Sequence, residues 1–138
     1  MRYIGILVGV PVTIVLLGVI NIAKIGIMSG SGIDVTQVEG DFWWTLLFSA
    51  VNALAPITGG LIAGTMARHT RERSWIVGSG AVVGAATAVI MVVLGAVSNS
   101  GENQQVAGAG DLLPVLVWPL EGAFGGLLVW LATSGRRK

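Results

Sequence analysis

PITGGLIAGTMARHTRERSWIVGSGAVVGA, residues 56–85, sets two glycine- and alanine-rich apolar runs on either side of a short basic turn. The arginines of the stretch, Arg68, Arg71 and Arg73, all fall in that turn, and both flanks are free of charge. Followed outward, the first flank extends back to Phe42 and ends at Ala67; the second runs from Trp75 to Val97. A run of about 20 apolar residues is long enough to cross the hydrocarbon of a bilayer. Backbone groups find no water there, so only helices and closed barrels can span. These runs are continuous rather than alternating, and too long for barrel strands, so a membrane-embedded helical hairpin is expected.

The rest of the chain reads around that hairpin. Of its 138 residues, 54% are hydrophobic and only 11% are charged. A soluble domain carries roughly one quarter charged residues, and this chain has too few to cover a soluble surface. Two more spans are expected, over residues 3–27 before the hairpin and 112–132 after it. Together with 42–67 and 75–97 they give an all-α membrane protein of four transmembrane helices in one domain, residues 1–138. The first run is expected to be a retained span, because its apolar core exceeds the 7–15 residues of a signal peptide. SGSG at 29–32 is only a weak cleavage site.

Charge divides the connectors. Arg2, the turn bearing Arg68, Arg71 and Arg73, and the tail Arg136, Arg137, Lys138 fall on one side. Asp34, Glu39, Asp41, Glu102 and Asp111 fall on the other, with Lys24 as the base nearest them. Basic residues stay in the cytoplasm, so both termini and the 68–74 turn are expected there. Four spans also require that the two ends share a side. Trp43 and Trp44 fit the outer interface; Tyr3, Trp75 and Trp130 fit the inner one.

In lipid, helices associate through close packing rather than hydrophobic exclusion. Thr45, Ser49, Asn52, Pro56, Gly59, Ala63 and Ala67 recur at spacings of four and three, which puts them on one helix face. Gly60 and Gly64 widen that stripe. Gly80 and Gly84, with Ala81, Ala85 and Ala88, answer from the next helix. An antiparallel hairpin with a small-residue seam is therefore the expected core, repeated more weakly by Gly5 and Gly9, and by Gly122 and Gly126.

Pro56, Gly59, Gly60, Ala63 and Gly64, then the polar turn and Gly80 and Gly84, resemble a family of small four-span proteins abundant in haloarchaea. Its hairpin shows a Pro-x-x-Gly-Gly-x-x-Ala-Gly run, and the likeness covers about a quarter of the chain. It implies a fold and a haloarchaeal host, with no activity attached. In architecture alone the chain is also similar to a four-span membrane protein of pleomorphic enveloped haloarchaeal viruses, whose basic residues face the virion interior.

Chemistry concentrates on Glu121, in WPLEGAFGG at 118–126. An ionisable residue within a span is a functional hypothesis for which a partner must be named. Glu121 flanks a face with Trp118, Gly122 and Gly125, and Asn52 is read at a similar depth on the small face of the second span. An amide can donate to a carboxylate or accept from the protonated acid. The pair Glu121–Asn52 serves either an oligomeric ion or proton conductor or the orientation of the fourth helix beside the second. A polar path needs more groups than Asn52, Thr58, Thr87 and Glu121.

Other chemistries fall away. The chain has no cysteine and one histidine, His69, so thiol catalysis, Cys-ligated metals and a multi-histidine site within one chain are excluded. GAGD at 108–111 matches the GxGD of intramembrane aspartyl proteases, but a second aspartate, Asp34 or Asp41, would lie in an outer loop. No catalytic residue, metal ligand or cofactor is expected. The basic turn is explained by topology, so no specific nucleic-acid binding is indicated. Lys24 is expected to snorkel to the outer interface or to pair with Asp111. The expected function is that of a non-enzymatic membrane component that packs through glycine-rich faces. Membrane lipids surround it, and it forms a homo-oligomer or joins a larger assembly, in the cell membrane or, on the viral alternative, in a virion membrane.

Overall fold

A computed structural model of the chain describes residues 3–32, 41–70, 72–98 and 109–134, and its regular elements are all helical. Helix α1 spans Ile4–Ser31, α2 Phe42–Ala67, α3 Arg73–Ser98 and α4 Ala109–Ser134, with a 3-10 turn over Arg68–Thr70. All four are long and apolar enough to cross a membrane. The fold is that of a multi-pass membrane protein. At 1.5 Å per residue each helix is about 40 Å long, more than the roughly 30 Å of hydrocarbon, so the helices tilt or emerge at their ends.

Local chemistry sets the helix ends. Asp41 caps α2: its carboxylate accepts from the Trp43 backbone N–H at 2.8 Å. Such a cap satisfies an amide that has no partner within the helix. Helix α1 continues past Ile27, where the apolar run stops, because Ser29 and Ser31 turn their hydroxyls back to the carbonyls of Ile25 and Ile27. It closes at Gly32, whose φ of 67° is left-handed and whose N–H reaches the Met28 carbonyl. A side chain at that φ is strained, so glycine is the residue that ends the helix there.

Helices α2 and α3 form the middle of the bundle, with α1 on one flank and α4 on the other; α1 and α4 scarcely meet. The connection between α2 and α3 predicts that their mutual seam is the core. The most extensive packing lies instead between α3 and α4, followed by α2 against α4. The physical reason is Gly122: a Cβ there would strike the Gly80 carbonyl, and a Cβ on Gly60 would strike the Gly122 carbonyl. Both arms of the hairpin turn small residues toward the fourth helix.

These contacts set the register. Gly9 opposes Gly59 across an antiparallel pair, while Gly60 and Gly64 meet Gly122 and Gly126 across a parallel one. Gly84 lies on the Trp118 carbonyl, antiparallel again. Pro11, Pro56 and Pro119 consequently fall at nearly one height in three helices.

Burial is concentrated toward one half of the bundle. The buried residues of α1 are Gly5, Gly9, Thr13 and Leu17, and those of α2 run from Ala55 to Ala67. Both sets lie on the basic side of the proline layer or close to it. The predicted α2 stripe therefore divides: Pro56, Gly59, Ala63 and Ala67 are buried, whereas Thr45 and Ser49 are exposed. Beyond the layer, Gly18, Gly26, Gly30 and Gly95 have no atom within 4 Å of where a Cβ would stand. The helices diverge there.

Candidate functional site

The basic end is closed by aromatic rings. Tyr3 and Trp75 meet edge to face at 5.8 Å, and the Arg73 guanidinium lies 4.5 Å above the Trp130 ring. A cation over an indole face is attracted by the ring quadrupole. Ala67, Ile76 and Val129 form a buried apolar cluster beside them. Of the basic residues read as setting topology, Arg68 is exposed in the 3-10 turn and Arg73 starts α3. Arg71, Arg136, Arg137 and Lys138 lie outside the described residues, as do Arg2, Asp34, Glu39 and Glu102.

Each glycine singled out by spacing sits in a close approach. A Cβ on Gly59 would meet the Thr13 hydroxyl, and one on Gly64 would stand 3.2 Å from Gly126 Cα. Ala63 is fully buried, and its carbonyl lies 2.9 Å from a Cβ built on Gly5. Gly80 faces Gly122, Gly84 faces Trp118 and Pro119, and Gly126 faces the Ile76 carbonyl at 2.6 Å. The backbones approach here at distances that alanine would prevent.

The polar pair proposed from the sequence is not formed. Asn52 Oδ1 accepts from Lys24 Nζ at 2.6 Å. Register explains this: Gly60 with Gly122 sets Glu121 level with Gly59, seven residues beyond Asn52 on α2. At 1.5 Å per residue that is about 10 Å along the bundle, too far for a direct bond. Glu121 is half-buried on α4, and its Oε2 is buried with no hydrogen-bond partner among the described residues. The Trp75 Nε1 and Thr87 Oγ1 atoms share that condition.

Lys24 is the residue that sequence reasoning misplaced. It does not snorkel outward; the expected pairing with Asp111 falls on a side chain outside the described residues. Side chains lean toward the start of their own helix, so the Lys24 stem runs toward the middle of the bundle. There it reaches Asn52, with the ammonium 5.0 Å from the Phe48 ring centre. An apolar groove between α1 and α2 surrounds it, with Ile20, Ala23 and Ile27 on one wall and Leu47 and Val51 on the other. The signal was present: Lys24 extends the buried stripe Gly5, Gly9, Thr13, Leu17 at helical spacing. Pro56 adds a second acceptor, because its missing N–H frees the Asn52 backbone carbonyl.

Among the described residues Lys24 and Glu121 thus stand within the spans, at different heights on opposite sides of α2. Among the described residues neither has an opposite charge within ion-pair distance. Comparison with known protein families, with curated protein sequences and with solved structures gives no match.

Proposed function

We propose that this chain is a non-enzymatic structural or assembly subunit of a membrane, held together through close glycine and alanine packing. The observation that carries the reading is the separation of Lys24 from Glu121. A conductor or a catalyst brings its ionisable groups to a common path or a common reacting atom. Here they lie about 10 Å apart in height with α2 between them, and each has a side open beyond the chain. Groups so placed suit association with something else in the membrane.

The basic connectors set both termini in the cytoplasm on this reading. The likeness of residues 56–85 to the four-span haloarchaeal hairpin belongs to the same proposal, and adds a host without an activity. Two measurements test it. Extraction of the full chain from its membrane in lipid discs, without detergent, should give particles with more than one protein subunit; single 14.2 kDa chains would reject it. In vesicles loaded with a pH-sensitive dye, the chain and its Glu121→Gln variant should both leak protons at the rate of empty vesicles. A flux that Glu121→Gln abolishes would establish the conductor instead.

A further inference from the structure

We propose that a second copy of the chain docks on the exposed ridge of α2, so that Lys24 of each copy faces the partner subunit's Glu121. This rests on the assembly reading and names the partner. The ridge consists of Leu47, Leu54, Thr58 and Thr65, which recur at spacings of seven, four and seven and so share one helix face. Leu47 and Leu54 are about half exposed, at 51% and 57%. One flank of the ridge is the α1 groove that holds Lys24. The other is α4, which meets Ile57 and Leu61 of α2 through Gly125, one turn from Glu121.

Charge complementarity selects the occupant. Lys24 has three donor hydrogens, of which Asn52 Oδ1 takes one while the Phe48 ring offers its face. The charge itself has no carboxylate among the described residues, and Glu121, only half-buried, has no cation beside it there. A lipid headgroup cannot serve Lys24, because headgroups lie at the ends of the helices and the Lys24 stem runs away from its nearer end. The counter-charge must come from within the spans, and among the described residues Glu121 is the half-buried acid that stands there.

Symmetry then does the matching. When two identical faces meet about a two-fold axis along the membrane normal, the left flank of one meets the right flank of the other. Lys24 and Glu121 occupy opposite flanks, so both pairs form at once. Their heights decide the geometry. Seen from the lipid with the start of α2 upward, Lys24 lies to the upper left and Glu121 to the lower right. A right-handed crossing of the two α2 ridges brings the charges toward one level, the class near roughly −40°. Leu54 and Thr58 lie at the crossing point and face their own counterparts.

The chain has no native cysteine, so one introduced thiol reports self-contact. In full-length protein in vesicles of zwitterionic lipid, Leu54→Cys is expected to form a disulfide-linked dimer on mild oxidation. Val82→Cys, exposed on α3 away from the ridge, is expected to remain monomeric. Added to Leu54→Cys, either Lys24→Met or Glu121→Gln should lower the cross-linked fraction by about tenfold, the scale of a close interfacial charge pair. Co-expressing Lys24→Glu with Glu121→Lys chains should restore cross-linking that each lacks alone, since only the mixed dimer matches both pairs. Cross-linking at Leu54 that ignores these charges would overturn the pairing. Cross-linking at Val82 alone would overturn the surface. No cross-linking from chains that still extract as multi-subunit particles would overturn the second copy as partner while leaving the assembly reading intact. Single chains in the discs would end both.

Discussion

The two halves of this bundle are built from equally apolar helices and pack in different ways. On the basic side of the proline layer, backbones touch: Gly60, Gly80 and Gly84 lie against the carbonyls of Gly122 and Trp118. On the other side, Val89, Val93, Leu94 and Val97 of α3 are exposed, and Gly18, Gly26, Gly30, Gly32 and Gly95 meet nothing. Hydrophobicity does not separate the halves, because lipid is as good a neighbour for Leu or Val as another helix is. What separates them is where small residues face one another. Close packing in a membrane follows from shape, and the half without matched shapes is the half that holds Lys24, a cation with no carboxylate beside it among the described residues.

The contrast breaks most visibly at Gly122. Gly122→Ala sets a methyl group against the Gly80 carbonyl, and backbone cannot rotate aside as a flexible side chain could. A destabilisation of about 3 kcal/mol is expected, at the upper end for overpacking. Thermal unfolding in detergent, followed by circular dichroism, measures it. An unchanged midpoint would mean that α4 is not cinched to both arms of the hairpin.

Much of the fold was legible in the sequence. Apolar run length gives four helices, because the hydrocarbon thickness and the need to satisfy backbone bonds leave little choice. Helix ends were less legible: Ser29 and Ser31 prolong α1 by bonding to their own helix, which hydropathy cannot register. Which seam is closest was not legible either. Spacing puts Gly59, Gly60 and Gly80 on faces, but does not say that Gly122 lies between them. For Glu121 the sequence suggests Asn52 as partner, whereas the structure gives Asn52 to Lys24. Depth was judged from distance along each apolar run, whereas the Gly60–Gly122 register, a tertiary fact, offsets Asn52 from Glu121 by about two turns, or about 10 Å.

The open half has its own point of strength, and Asn52→Leu removes it. The Lys24 ammonium then keeps the Phe48 ring but loses its amide acceptor in an apolar groove. A cost of about 2 kcal/mol is expected, in the range for hydrogen bonds to charged groups. The double variant Lys24→Met, Asn52→Leu should recover most of it, because replacing both partners leaves no stranded polar group. If the double variant is no better than the single, Lys24 has another anchor. Thr87, one turn beyond the proline layer, tests the packing in the opposite direction. Its hydroxyl is fully buried and unpartnered among the described residues, and Val has nearly its shape. Thr87→Val should therefore raise stability, by about 1 kcal/mol; a fall would show that the hydroxyl is satisfied in the membrane.

The smallest effect is the most exact test of the comparison, because it repeats the largest one in the other half. Gly95→Ala adds the same methyl group as Gly122→Ala, on a helix of the same bundle, but into open space. With nothing to strike, only the backbone preference remains, and alanine is the better helix former by at most about 1 kcal/mol. The unfolding midpoint should stay in place or rise slightly. If Gly95→Ala instead costs as much as Gly122→Ala, then another surface closes against α3 at that level. The divergence of the helices would then be completed by a neighbour rather than filled by lipid, and the ridge of α2 would not be the chain's main docking face. If it is neutral, divergence is the intrinsic state of this half, and Lys24, which has no carboxylate among the described residues, is what draws a partner to it.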